Sequence, residues 1–357
     1  MLFCILVECV IIDFDSYNLD IVRERERERG ILKMLNKNIV TFGAMWVCGE
    51  VLIDRLPSPT VVGDEGESSR INVVGGGAAN TAKCMSRLGY NVQLINGLSC
   101  DQYGVLAKTE LLEDNVGLDL CLQNSEKPTC LATVNLDENK KASYEFLIDG
   151  TATFDFDKNW LPDFDAHKPS VLHLGTLATI VEPGASAIYD WAAMGAVKDS
   201  VPIVFDPNIR PSVMPDRKAY QKAVDKFAKI SAVIKASDDD IEWLYPETPL
   251  EDVARKWLEA EVTALVIITK GEDGLMSLTK DGNVISEPPA IKIEVKDTVG
   301  AGDTVGAILT EGVVKHGIAK LVEEPECLRS VLSRANKASG ITCSREGCKP
   351  PTQADLE

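Results

Sequence analysis

From residue 39 onward, short β-branched apolar runs alternate with longer stretches whose apolar positions recur every three or four residues. The first pattern predicts strands and the second amphipathic helices, and their alternation predicts a parallel sheet joined by crossover helices. Strands are expected at VQLING around Val92, SVLHLG ending at Gly175, VPIVFD ending at Asp206, SAVIKA around Ile234 and ALVIITK ending at Lys270. Helical patterns fall over residues 78 to 88, 185 to 197, 217 to 228, 250 to 259 and 303 to 316. Because the strand runs are apolar almost without interruption, helices should cover both sheet faces, giving a doubly wound α/β fold. The first strand has two candidates, NIVTFG over 38 to 43 and WVCGEVLID over 46 to 54. The second is preferred because it leads to a carboxylate at a strand end.

Two stretches, 57 to 74 and 128 to 146, break the rhythm with short alternating strands and charged turns. TCLATVNLDENKKASYEFL reads as a hairpin with residues 137 to 140 at its tip. These insertions predict a small β-sheet lid, within about 55–74 and 127–148, on a domain spanning 38–357. Residues 1–37 form an extension set aside from the fold. Its MLFCILVECVII start is too short to cross a bilayer and lacks a basic leader, and the following Arg/Glu run is a solvated helix or a disordered spacer. No membrane partner is expected.

Composition sharpens this picture only in places. With 357 residues, 45% of them hydrophobic and 26% charged, the chain has the material for a full core. A net charge of -18 argues against a nucleic-acid partner, although a small polyanion can still bind locally. The ten cysteines are scattered without Cys-x-x-Cys spacing and the three histidines lie far apart, so neither a disulfide scaffold nor a zinc site is expected. Reduced thiols suit a cytoplasmic protein, or one of a plastid or other organelle stroma.

Candidate chemistry concentrates in three segments. DTVGAGDT, Asp297 to Thr304, lies between the strand-like IKIEV and an amphipathic helix. Gly300 and Gly302 permit close backbone approach and a sharp turn into the helix, whose free N–H groups and positive dipole end would hold an anion. Asp303 then stands where it could orient a nucleophile; the alternative is a plain helix entry with Asp303 as its cap. In VVGGGAANTAKCMSRLG, Val73 to Gly89, three glycines precede a helix whose first turn carries Asn80. Its amide either faces a ligand or caps the chain. In GEVLID, Asp54 either accepts hydrogen bonds from ligand hydroxyls or is a solvated turn carboxylate.

Together these segments resemble the ribokinase-like (PfkB) carbohydrate kinases over about residues 46 to 352. The Gly75, Gly76, Asn80 spacing and DTVGAGD at 297 to 303 match that family's two signatures in order. GEVLID, SRLG, the stretch from Leu98 to Gly104 and FDPNIRPS look most like fructokinases. The resemblance implies a ribokinase-like fold and transfer of the ATP γ-phosphate to a hydroxymethyl group of fructose. It assigns sugar binding to Asp54, Gly75, Gly76, Asn80 and Arg210, the general base to Asp303, and the anion hole to Gly300, Ala301 and Gly302. Nucleotide contacts fall on Lys235, Ser237, Thr269, Lys270, Gly271, Gly274 and Asn336.

Mg²⁺ would arrive with ATP, and K⁺ would sit beside the anion hole on Asp297 and the Val299 backbone; Asp297 could equally cap the turn. KASDDDIEWL departs from the family's usual Asn-x-x-Glu and offers Ser237 and Asp240 for the magnesium waters. Arg210, in DPNIR, is more simply a structural salt bridge, but an arginine there could pair with a sugar-acid carboxylate. That keeps 2-keto-3-deoxygluconate kinase open beside ribokinase. A homodimer through the lid is a further expectation. The rival of another class is a catalytically silent scaffold, which would need neither the glycines nor Asp303.

Overall fold

The structure is a computed structural model that describes residues 43–57, 70–136, 142–289 and 293–357. Six parallel strands make up most of an eight-stranded sheet: β1 (Met45–Cys48), β4 (Val92–Ile95), β9 (Val171–Gly175), β10 (Ile203–Asp206), β11 (Val233–Ser237) and β12 (Leu265–Thr269). An antiparallel pair, β13 (Leu275–Thr279) and β14 (Val284–Glu287), closes one edge, so the order is β14-β13-β12-β11-β10-β9-β1-β4. The apolar strand runs account for this arrangement, since every residue of β1, β4, β9 and β10 is buried. On one face Trp46, Leu172, Phe205 and Ile234 pack under helices 184–198, 217–228, 238–244 and 250–258 through Trp191, Phe227, Ile241 and Trp257. On the other, α1 (Gly77–Arg87) lies beside α2 (Ala301–His316), which packs against β9, β10 and the long helix Pro325–Cys343.

Chain order reverses between β1 and β9, which are neighbours in the sheet while the chain goes first from β1 to β4 on the other side. Such a switch point leaves a crevice beyond the carboxyl ends of the strands, where no connection can cover it. The small sheet stands beside that crevice. Its strands are β2 (Leu52–Pro57), β3 (Arg70–Gly75), β7 (Leu131–Leu136) and β8 (Ala142–Leu147), in the order β3-β2-β7-β8. A further pair, β5 (Gly97–Ser99) and β6 (Leu122–Ser125), is separate.

The preferred first strand, WVCGEVLID, proves to be two. Its first half is β1 of the large sheet, and after Gly49–Val51 its second half becomes β2 of the small one. Gly49 makes the break possible: a side chain there would come within 2.7 Å of the Ala78 Cβ. Asp54 therefore sits within the small sheet, opposite Val73 and beside Ala132, and not at the end of a central strand. IKIEV is also corrected, because residues 293–295 form no strand and Val295 is 58% exposed. The hairpin expected at 128 to 146 is β7-β8, with its tip outside the described residues, as are the extension 1–37 and most of NIVTFG.

Candidate active site

A cavity of about 490 Å³ opens at the switch point. Its wall joins Glu50 after β1, Asp54 on β2, Gly76, Gly77 and Asn80 at the start of α1, Thr176 after β9, Asn208 and Arg210 after β10, and the turn Thr298–Gly300 with Gly302 and Asp303. Of the residues nominated from sequence, Asp54, Gly76, Asn80, Arg210, Val299, Gly300, Gly302 and Asp303 thus meet around one space.

Asp303 is the third residue of α2 and only 7% exposed. Asn80 Nδ2 donates to Asp303 Oδ2 at 2.8 Å, while Asn80 Oδ1 is buried without a partner. Loss of water, and then the neighbouring Asp206 carboxylate, push Asp303 up to about 7 against the Asn80 hydrogen bond and the charges of Lys235 and Arg210. A carboxylate that exchanges a proton near neutral pH is suited to general-base work. Gly77 makes room for it, since a side chain there would lie 3.2 Å from Asp303 Oδ1 and overlap Thr176.

The expected anion turn lies at the start of α2. Gly300, at φ 79°, is the left-handed N-cap of α2, and a side chain on it would overlap the Cys348 thiol. The Ala301 N–H donates to the Thr298 carbonyl at 3.2 Å. The amides of Gly302 and Asp303 donate to no described residue and carry the positive end of the helix dipole. Beneath them Lys235 Nζ would lie 2.8 Å from a Cβ on Gly302, and pairs with Asp206 Oδ2 at 2.8 Å with both side chains buried. Burial opposes its charge, but Asp206, Asp240 and Asp303 hold Lys235 protonated. Lys235 is therefore committed below the turn, away from the cavity wall.

On the opposite wall burial lifts Asp54 to about 6, with Arg210 opposing. Gly75 lies under Asp54, whose carboxylate occupies the space a side chain would need. The Arg210 guanidinium donates to the Ile209 and Asn208 carbonyls at 2.9 and 3.5 Å and makes no ion pair with a described residue, so the structural salt bridge is not formed.

Asp240 and Asp297 have local partners. Asp240 accepts from Ile209 N at 2.7 Å and Ser237 N at 3.0 Å, in a capping box with Ser237. Asp297 accepts from Val299 N and Gly347 N, each at 3.0 Å, which is the turn-cap arrangement. Among the described residues no three His, Cys, Asp or Glu side chains gather around a metal position. Thr269 ends β12 and Lys270 and Gly271 follow it, outside the lining of the cavity. Gly274 and Asn336 meet at the end of β14: Asn336 Nδ2 donates to the Glu287 and Pro288 carbonyls at 3.1 and 2.8 Å, and a side chain on Gly274 would overlap Glu287 O.

Sequence reasoning missed Glu50. It accepts hydrogen bonds from Gly77 N, Thr176 Oγ1 and Ala178 N, and burial raises its carboxyl above the usual range. The available signal was an acid set alone in an apolar run, VCGEVLI. Gly77, Thr176, Asn208 and Thr298 were also missed, and Thr176 holds a left-handed φ of 61° with no sequence signal at all.

Known proteins are similar to this chain in sequence and in fold. A fructokinase from Rhizobium leguminosarum bv. trifolii is 34% identical over 263 residues, 73% of this chain and 76% of the relative. The fructokinase from Xylella fastidiosa, solved with bound ATP, superposes with a TM-score of 0.77 at 22% identity, covering 88% of this chain and 96% of that one. A fructokinase double mutant from Vibrio cholerae O395, in a form with fructose, ADP and potassium ion, gives 0.73 at 21% identity over 88% and 97%. Residues 46–355 match the model of the pfkB family of carbohydrate kinases, and with its buried carboxylate at a glycine-flanked helix start the chain belongs to that family.

Proposed function

We propose that this protein is an ATP-dependent fructokinase with Asp303 as its general base. One juxtaposition carries the reading: a buried carboxylate shifted up to about 7 stands at the helix start whose Gly302 and Asp303 amides have no described partner. The sugar hydroxyl loses its proton to Asp303 as its oxygen attacks the γ-phosphorus. The bond from that phosphorus to the β,γ-bridging oxygen breaks, and ADP departs. Charge on the transferred group is stabilised by the two amides, the α2 dipole and the buried Lys235 charge below. Asp54, Asn80, Arg210 and the Gly76 backbone hold the sugar; Thr269 to Gly274 and the helix bearing Asn336 take the nucleotide.

Magnesium enters as part of the nucleotide substrate, its charge shared among phosphate oxygens. Asp240, whose oxygens accept one amide each from Ile209 and Ser237 and keep further acceptor capacity, would hold the magnesium waters. Potassium completes the proposal beside Asp297 and the Val299 carbonyl. The small sheet closes over the sugar and pairs with a second copy, a role supported by Ile71 on β3, which is 46% exposed.

Fructose is the acceptor that the relatives support, and one charge on the cavity wall sets the sugar acid to test beside it. The Arg210 guanidinium stands on the cavity wall, where its charge already acts on Asp54, and the acid group of 2-keto-3-deoxygluconate would compete for it. ADP release measured over fructose, ribose, 2-keto-3-deoxygluconate and adenosine, each in potassium and in sodium buffer, separates the readings. Fructose is expected to give the highest kcat/KM. A preference for 2-keto-3-deoxygluconate would move the assignment to that sugar acid, and no turnover with any acceptor would leave the silent scaffold.

A further inference from the structure

Glu50 has no part in the chemistry above, yet at 2% exposure it is the most deeply buried acid on the cavity wall. Its flanking residues Val47, Cys48, Val51 and Leu52 are buried and apolar. Sequestering a carboxylate in such surroundings is costly, and an apolar residue of similar volume is often as stabilising or more so. Its geometry points to a different use. Oε1 accepts from the Gly77 amide at 2.9 Å, and Oε2 takes a short hydrogen bond from the Thr176 hydroxyl and a longer one, 3.4 Å, from Ala178 N. One carboxylate thereby joins the ends of β1 and β9, on either side of the switch point, to the first residue of α1.

Each joined piece faces the reacting centre. Gly77 adjoins Thr176 and Asp303, so its backbone position sets the space left for the base. Asn80, one turn later, donates to Asp303, and its own amide is anchored on Gly76 O at 3.0 Å. Thr176 is β-branched and holds φ 61°, a conformation that persists only where the surroundings impose it. Glu50 supplies that imposition through the Thr176 hydroxyl and the Ala178 amide.

We propose that Glu50 is the positioning residue that fixes the start of α1 and the Thr176 turn relative to Asp303, so that the sugar hydroxyl meets the base in line. The inference rests on the kinase reading. Its test compares wild type, Glu50→Gln, Thr176→Val and the double variant in steady-state kinetics for sugar and for ATP, with thermal unfolding alongside.

Glu50→Gln keeps the shape but turns one acceptor into a donor facing a donor. Misplacement by about 1 Å costs about 10²-fold, so sugar kcat/KM should fall by about that factor while KM for ATP stays within about twofold. Because Glu50 acts through Thr176, the double variant should lose little more than the worse single variant. A loss below about tenfold, equal losses for sugar and ATP, or strictly additive effects would overturn the assignment. If Glu50→Gln does not fold, Thr176→Val alone removes the hydroxyl donor with the carboxylate intact, and the same split in kinetic constants decides. A wild type inactive on every sugar refutes the kinase reading and this inference together, whereas an active wild type with unaffected variants refutes the inference alone.

Discussion

Replacing Asp303 by asparagine should disable the enzyme and stabilise it at the same time. The folded chain holds the Asp303 proton more tightly than the unfolded chain does, with the pKa raised from an ordinary 3.8 to about 7, mainly because burial disfavours the charge. A carboxyl shifted upward contributes in the opposite sense to a salt-bridged one. Native stability falls as pH climbs from near 4 to near 7, and above that range the full cost is present. At ~1.36 kcal/mol for each pH unit, the rise amounts to about 4 kcal/mol, an upper bound once the site relaxes.

Asparagine keeps an acceptor for Asn80 Nδ2 and removes both the buried charge and its repulsion with Asp206. Urea unfolding of both proteins from pH 4 to pH 8 should therefore show no difference at the acid end. The variant should become more stable by about 2–4 kcal/mol at the alkaline end. Turnover should drop by about 10²–10⁴-fold, the usual share of a general base. A stability difference that is flat with pH, or that favours wild type at pH 8, would refute the reasoning about the burial of this group. Near-normal turnover would refute its role as base.

Two further outcomes follow from the turn beneath the cavity. Gly300→Ala demands a left-handed φ of 79° from an L residue and places a methyl group into the Cys348 thiol, so KM for ATP should rise by at least about tenfold; an unchanged ATP KM would remove Gly300 from the anion site. Lys235→Met leaves Asp206 buried without its partner, at a cost of about 3–5 kcal/mol. Because Lys235 lowers the Asp303 pKa, the acid limb of the kcat/KM profile, near pH 7 in wild type, should move to higher pH, and a limb that stays in place would exclude this coupling.

Much of the large sheet was readable because burial on both faces leaves strands such as VLHLG and IVFD almost wholly apolar, a pattern no exposed segment imitates. WVCGEVLID misled for the same reason: its two halves are both apolar, and the break after the first falls at Gly49, where the close Ala78 leaves no room for a side chain. IKIEV failed because alternation cannot say where backbone hydrogen bonds go. The adjoining amides of Lys296 and Asp297 bond to Cys343 O, 47 and 46 residues away, instead of extending a ladder.

At the site, Asp303 and Asn80 stood out through glycine spacing that few other structures require. Glu50 did not, because its meaning depends on Thr176, more than a hundred residues later, and on a torsion that the letters do not encode. Arg210 was visible as a charge near a strand end, but whether it pairs inward or stays on the cavity wall is decided by side-chain packing.

The turn ahead of α2 is also tied to residues far behind it. Cys343 O accepts the Lys296 and Asp297 amides, the Gly347 amide caps Asp297, and Cys348 lies flush on Gly300. A nascent chain whose residues 343–348 are still inside the ribosome already carries every signature glycine and the base, yet lacks the brace that shapes them. Competence for phosphate transfer should then arise only once that brace docks.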